Sequence, residues 1–316
     1  GIRYNEAGRP EEIRQADGSL VRLSYDDRGN ITELRDAQGN RTCYAYDDLN
    51  RMTESIDGKG NVTRYTYDIM GNVTCVENAE GNCQSYEYNA SGKVTKVTDF
   101  DGESIQREYN VLNRPSKVID KEGRETLLTY DSMWNLARVT TPDGARTTYL
   151  YNEENLLSRI KYADGAVVRY TYDANGNRIG EEDENGAKTT FVYDALGRVV
   201  EVNGEEGLHY AYRYDGEGNL IHAEDALGNT VSMEYDANGN LVKETSPLGE
   251  SRSYTYTPLG DVESITDEAG RRIRYSYHPG GQLKAICYPD GREEAFAYDA
   301  NGNLESHPLA TGFTLT

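Results

Sequence analysis

The chain has 316 residues, with 54 Asp and Glu against 33 Lys and Arg, for a formal net charge of −21. That sign disfavours a nucleic-acid or anionic-membrane surface, because both carry like charge, and no apolar run approaches the roughly 20 residues of a membrane-spanning helix. Leu, Ile, Val and Phe supply only 57 residues, a composition that by itself points to disorder, so order has to come from another source.

The source is a period. Tyrosine recurs every 21 residues without a slip, at Tyr4, Tyr25, Tyr46, Tyr67, Tyr88, Tyr109, Tyr130, Tyr151, Tyr172, Tyr193, Tyr214, Tyr235, Tyr256, Tyr277 and Tyr298. Fifteen copies in phase make each repeat one identical structural step, so residues 1–316 read as a single continuous array. The opening GIRYNEAGRP shows no basic-then-apolar leader, and both ends fall part-way through a repeat, as expected of a segment of a longer array.

The unit from Tyr25 to Tyr46 holds the same phrase twice, Asp26-x-x-Gly29-Asn30 and Asp36-x-x-Gly39-Asn40. Asp opens a turn by accepting backbone N–H groups with its carboxylate, and Gly three residues later takes the left-handed conformation that closes a hairpin loop. Each repeat therefore encodes two chain reversals. The second-turn glycine is present in every copy, at Gly39, Gly60, Gly81, Gly102, Gly165 and Gly228 among others, through to Gly312. At the first turn eleven copies have Gly and three have Asn (Asn50, Asn113, Asn155), while Trp134 breaks the rule and predicts a turn shifted by one onto Asn135.

Between the turns lie segments of strand length. Those entering each tyrosine alternate, with Thr42, Tyr44 and Tyr46, then Thr63, Tyr65 and Tyr67, then Tyr86 and Tyr88, then Val168, Tyr170 and Tyr172 on one face. The other segment carries apolar residues six and nine positions after the tyrosine, such as Ile31 and Leu34. That spacing fits one strand face only if a bulge intervenes. Pro10 and Pro115 stand at the first of these positions, and Arg178, Glu181 and Glu244 also depart from the apolar pattern. The prediction is an all-β array of about 15 units with two antiparallel strands each. A strongly twisted open sheet of that many strands should coil. With so little aliphatic material it should form a single-layered β-spiral, a hollow shell or solenoid, in which cross-strand tyrosine pairs hold register.

The phrase seen as YDANGNLVKETSPLGESRSYT from Tyr235 and YDDRGNITELRDAQGNRTCYA from Tyr25 resembles the Rhs or YD repeat. That repeat is found in bacterial Rhs polymorphic toxins, insecticidal toxin complexes, wall-associated toxins and teneurins. The resemblance spans essentially the full chain. It implies a β-strand shell around a linked polypeptide cargo, commonly a C-terminal toxin domain, in a protein exported to the exterior or surface of a bacterium. The self-cleaving core motif that usually ends such toxin-releasing shells does not follow Tyr298.

Candidate chemistry is sparse. Most aspartates stand at turn positions, and the spacing of calcium loops is missing. The histidines His209, His222, His278 and His307 share no phase, no glycine pattern cradles phosphate, and no catalytic site, metal or cofactor is expected. Cys43, Cys75, Cys83 and Cys287 occupy four phases and read as incidental thiols, with Cys75 and Cys83 the one pair close in sequence. Rows of tyrosine also suggest glycan stacking, an alternative in which the array is an adhesion surface.

Overall fold

The computed structural model describes residues 1–308 and 314–315; the Gly312 turn lies outside them. Twenty-nine strands form one antiparallel sheet, each paired with the strands before and after it in sequence, and Ala297–Tyr298, Leu304–Pro308 and Thr314–Leu315 form a small second sheet. Apart from a short 3₁₀ turn at Glu205–Gly207, the described residues contain no helix. Strands alternate between five and six residues along most of the chain, as in Leu20–Tyr25, Ile31–Arg35 and Arg41–Tyr46. By compactness the chain divides into two units, Gly1–Ser85 with Glu234–Thr316, and Tyr86–Met233.

Among the described residues both turns of a repeat close in the same way, except the second turn at 204–208, where Leu208 N–H donates to the Glu205 carbonyl (3.1 Å) and Glu206 takes φ 56°. At the first turn, Asp26 N–H donates to the Asn30 carbonyl (3.0 Å) and Gly29 N–H to the Asp26 carbonyl (3.1 Å); Asp36, Gly39 and Asn40 repeat this pattern at the second. This is a type I turn followed by a left-handed residue, the common three-residue hairpin loop. Gly39 has φ 90° with open space where a Cβ would stand, so backbone conformation, not packing, demands glycine there. Asn50, Asn113 and Asn155 adopt the same left-handed conformation.

Trp134 corrects a prediction. The turn is not shifted: Trp134 itself takes φ 66° and donates its N–H to the Asp131 carbonyl at 3.1 Å. The register of the flanking strands, Tyr130 opposite Leu136, is that of the repeats on either side, Tyr109 opposite Pro115 and Tyr151 opposite Leu157. A shift would break that ladder, so the ladder overrides the conformational cost of a bulky residue at positive φ.

A register shift follows each first turn. Tyr25 pairs with Ile31 while Ser24 pairs with Glu33, leaving Thr32 as the extra residue of a bulge. The bulge returns Leu34 to the face of Ile31, opposite Leu23. Pro10 and Pro115 fit this position because each begins its strand and supplies a carbonyl.

The sequence suggested that tyrosines pair with one another across strands; the described strand registers place other residues opposite them. Tyrosine-bearing strands are separated by an intervening strand, so each inner tyrosine faces that strand's residue: Tyr65 opposite Val76, Tyr149 opposite Ile160, Tyr170 opposite Glu181. Ile160 in turn faces Val168 on its other side, which makes an aromatic–aliphatic row running across the strands. Each such pair contributes roughly 0.2 to 1 kcal/mol. The one Tyr–Tyr stack described, Tyr210 on Tyr212, lies within a single strand at 6.4 Å. Burial is correspondingly thin: Val168, Ala285 and Ser264 are the buried residues among those described, and no large side chain is fully enclosed.

The cysteine reading also needs correction. Cys75 and Cys83 form a disulfide, while Cys43 and Cys287 remain free thiols. They stand diagonally across one hairpin, Cys75 opposite Ser85 and Cys83 opposite Glu77, and the short turn between them brings the two sulfurs together.

Candidate functional site

First turns lie along one edge of the strand ribbon and second turns along the other. The phase-setting tyrosines stand at the first-turn edge, half-buried apart from the exposed Tyr4, and the hydroxyls of most of them carry a connection that the sequence did not reveal. Tyr25 donates to the Pro10 carbonyl (2.7 Å), Tyr46 to Ile31 (2.9 Å), Tyr67 to Met52 (2.6 Å) and Tyr172 to Leu157 (2.7 Å). Seven further tyrosines, from Tyr109 to Tyr277, repeat the bond, always to the carbonyl 15 residues earlier. That carbonyl begins the neighbouring strand at the open end of the hairpin, away from the tight turn. Tyr88 and Tyr235 end their strands at the same phase, and Tyr44, Tyr65, Tyr86 and Tyr170, two residues before this phase, are half-buried on the same face. Burial raises the hydroxyl pKa of Tyr46, Tyr67, Tyr151, Tyr256 and Tyr277.

The residue five after most tyrosines is Asn or Arg, and these residues help to join neighbouring first turns. Where it is Asn, its amide bonds the turn aspartate, as Asn30 does to Asp26 at 2.9 Å. Where it is Arg, it reaches further. Arg51 bonds Asp47 of its own turn (2.7 Å) and the Asp68 carbonyl of the next (3.2 Å), with its guanidinium 4.6 Å from the centre of the Tyr67 ring. Arg198 repeats this on Asp194, Asp215 and Tyr214. The pattern of Asn or Arg at one phase was present in the sequence, but only the geometry shows that residues as different as Asn30 and Arg51 or Arg198 bond the aspartate that opens their turn. Those bonds hold the Asp26, Asp68, Asp173 and Asp236 carboxyls below their usual pKa, the neighbouring Asn side chain being the main cause in each. Arg178, at a normally apolar phase, lies over the Tyr170 and Phe191 rings (5.6 and 5.1 Å) and pairs with Glu181 at 3.0 Å.

Within the unit formed by Gly1–Ser85 and Glu234–Thr316, the two edges meet. Second turns at 15–19, 36–40 and 57–61 lie against first turns at 257–261, 278–282 and 299–303. Gly280 N–H donates to Asp17 (3.2 Å), and Gln38 bonds Gln282. Lys59 pairs with Asp299 (2.9 Å) and donates its N–H to Asn301 (3.1 Å), whose own amide donates to Asp57 (2.7 Å). The Asp299 side chain is only 6% exposed in this contact, and the Lys59 ammonium holds its carboxyl far below the ordinary range. A Cβ added to Gly58 would collide with the Ala300 carbonyl, so the two backbones approach as closely as glycine allows. Lys59 and Asn301 are 242 residues apart, which is eleven and a half repeats and therefore an odd number of strands, so a first turn always meets a second turn. Cavities of about 600 and 870 Å³ remain between the meeting turns.

Among the described residues no group of three or more His, Cys, Asp or Glu is placed to hold a metal ion. The described histidine side chains are scattered: His278 opens a first turn and meets the Tyr298 ring edge-on at 6.1 Å, while His209 and His222 lie on strands of the other unit.

The repeat profile decides the relationship. RHS-repeat profiles match residues 4–42 and, in overlapping copies, 151–272, just over half of the chain. The chain belongs to the RHS repeat family. The Teneurin YD-shell profile matches residues 46–165 of this RHS-repeat chain. Among solved structures, it is similar to a TcdB2-TccC3 crystal structure at a TM-score of 0.78 and 16% identity, over 97% of this chain and 21% of that one. It is also similar to the Photorhabdus luminescens Tc holotoxin pore at a TM-score of 0.70 and 17% identity, over 99% of this chain and 22% of that one. The RHS-repeat chain thus spans about a fifth of those proteins' length. No curated protein sequence matches it significantly.

Proposed function

We propose that this RHS-repeat chain is a length of wall that encloses and shields a linked polypeptide, such as a toxic C-terminal segment, in a bacterial protein exported to the cell surface or beyond. On this reading residues 1–316 act as one continuous array, the wall has no catalytic centre, and its partners are the cargo and the flanking repeats. The observation that carries it is the meeting of the two turn edges after eleven and a half repeats. A single-layered ribbon whose opposite edges bond can build a continuous surface without a hydrophobic core. The family relationship and the likeness in fold to the TcdB2-TccC3 structure support the same reading. Glycan binding is less favoured, because eleven tyrosine hydroxyls that a sugar could use are committed to backbone carbonyls.

The test uses the natural full-length polypeptide. Segments linked to the repeats should resist added protease while the wall is intact, and become sensitive when Gly58→Val forces the turn edges apart. Cleavage of those segments at the same rate in both proteins would remove the enclosure reading.

A further inference from the structure

Three first turns are built from the same residues, Tyr-Asp-Ala-Asn-Gly-Asn, at 172–177, 235–240 and 298–303. Each sets Asn before Gly, the step at which an asparagine side chain is most open to attack by the next backbone nitrogen, because glycine has no Cβ to hinder the approach. The three backbones are held alike. Gly176, Gly239 and Gly302 donate their N–H to the carbonyls of Asp173, Asp236 and Asp299 (3.1, 3.0 and 2.9 Å). Asn175, Asn238 and Asn301 donate theirs to the carboxylates of the same aspartates, each at 2.9 Å. A difference in their reactivity must therefore come from the asparagine side chain.

The side chains do differ. Asn175 and Asn238 are exposed, and none of the described hydrogen bonds uses either side-chain amide. Asn301, in the same unit as Asn238, is exposed as well, but its amide is tied at both ends to the facing second turn. Its Nδ2 donates to Asp57 at 2.7 Å, and its Oδ1 accepts the Lys59 N–H at 3.1 Å. Bonding, not burial, sets it apart. Attack requires the Asn301 Cγ to turn onto the Gly302 nitrogen, so these bonds must break first, and negative charge developing on the amide would be opposed by the Asp57 carboxylate.

We propose that Asn301 is a deamidation site guarded by the edge contact, so that opening the contact permits a change that keeps it from closing again. In the open state the Gly302 nitrogen bonds to the Asn301 Cγ, and its proton passes through water to the side-chain nitrogen, which leaves as ammonia. Water then opens the resulting succinimide ring to aspartate or isoaspartate. The net change consumes water and releases ammonia, with no oxidant or cofactor. The amide that donated to Asp57 at 2.7 Å becomes a second carboxylate, and like charges so close repel. Isoaspartate also lengthens the backbone of a turn that Gly58 already approaches as closely as its missing Cβ allows. The inference rests on the edge contact and requires neither a cargo nor enclosure.

The experiment incubates the folded 316-residue chain in mildly alkaline buffer and follows the three sites by peptide mass spectrometry. The denaturant-unfolded chain is the reference, in which identical flanking residues should make all three react at similar rates. In the folded chain Asn301 should react about tenfold more slowly than Asn238, the order expected when ordinary hydrogen bonds must break before the attack. Gly58→Val drives a side chain into the Ala300 carbonyl, so it should bring Asn301 up to the rate of Asn238 and leave Asn238 unchanged. Circular dichroism checks that the strands persist; should Gly58→Val lose them, Gly58→Ala takes its place. Asn301→Asp carries the charge of the product and should speed hydrogen exchange at 57–61, whereas Asn238→Asp should leave that segment unchanged. Equal rates at Asn301 and Asn238 in the folded parent, no acceleration on opening, or unchanged exchange in Asn301→Asp would each overturn the proposal. So would three folded sites that stay unreacted while the unfolded chain reacts, because the turn alone would then be the guard. Protease protection in the full-length protein reads the wall independently, so the two ideas can fail separately.

Discussion

Replacing Tyr67 by Phe deletes one oxygen and isolates the hydroxyl bond that recurs through the array. The lost bond is the 2.6 Å contact to the Met52 carbonyl. The ring remains, and with it the Arg51 guanidinium 4.6 Å from its centre. A neutral intramolecular hydrogen bond contributes about 1 kcal/mol net, and the acceptor is only half-buried, so water replaces part of the loss. Tyr67→Phe should therefore cost about 1 kcal/mol. The control is Tyr65→Phe: that residue lies on the same face two positions earlier, opposite Val76, and none of the described hydrogen bonds uses its hydroxyl. It should change stability by less than about 0.5 kcal/mol. Urea titration followed by circular dichroism gives the global difference. Native-state hydrogen exchange should place the added opening at Met52–Ile56 and Val62–Tyr67, because repeat arrays lose stability locally. Equal effects from the two substitutions, or exchange changes spread evenly along the chain, would refute the view that the hydroxyl joins neighbouring strands.

Other perturbations separate backbone conformation, edge contact and titration. Gly58→Ala should loosen the 299–303 turn, read as faster hydrogen exchange there, because its Cβ meets the Ala300 carbonyl; Gly60→Ala, at φ 88° with open space around it, should cost about 1 kcal/mol of left-handed strain while leaving 299–303 unchanged. Trp134→Gly should stabilise the array by about 1 kcal/mol in urea titration, since it relieves a bulky residue at φ 66° without moving the register. On titration, the lowered pKa values of Asp26, Asp68, Asp173 and Asp236 give stability that is complete above the unfolded carboxyl pKa of about 4 and lost as pH falls through the folded values. The raised values of Tyr46, Tyr67 and Tyr256 act in the opposite sense, giving stability present below the unfolded value of about 10 and lost as pH rises through the folded ones. Thermal melts should thus show a plateau near neutrality with an acid limb and an alkaline limb, and a melting temperature still rising below about pH 4 would contradict the turn geometry.

What the sequence made legible was whatever repeats by identity. Gly39 and its equivalents announce a left-handed residue, the Tyr44 and Tyr46 alternation announces a strand, and the Ile31–Leu34 spacing announces a bulge. What it hid was whatever repeats by function under different names. Asn30 and Arg51 look unrelated, yet each bonds the aspartate that opens its turn. Trp134 looked like a broken turn because conformational preference was weighed without the ladder that fixes its neighbours. The disulfide was hidden because diagonal proximity depends on hairpin register, which two cysteines eight residues apart do not specify.

The two edges are built to different ends. Along the first-turn edge, tyrosine hydroxyls, long arginines and contacts such as Asn30 to Asn50 (2.9 Å) link each repeat to the next. The second-turn edge has fewer such links among the described residues, one being Lys121 to Glu103 at 2.8 Å. It instead presents short turns such as Gly58-Lys59 that another edge can approach closely. A cored protein fixes its interior and leaves its rim free to vary; this ribbon has almost no interior, so its specificity must lie at the rim. It follows that substitutions at turn tips, ordinarily the most tolerated in a protein, should in this chain alter assembly more than substitutions in its strands.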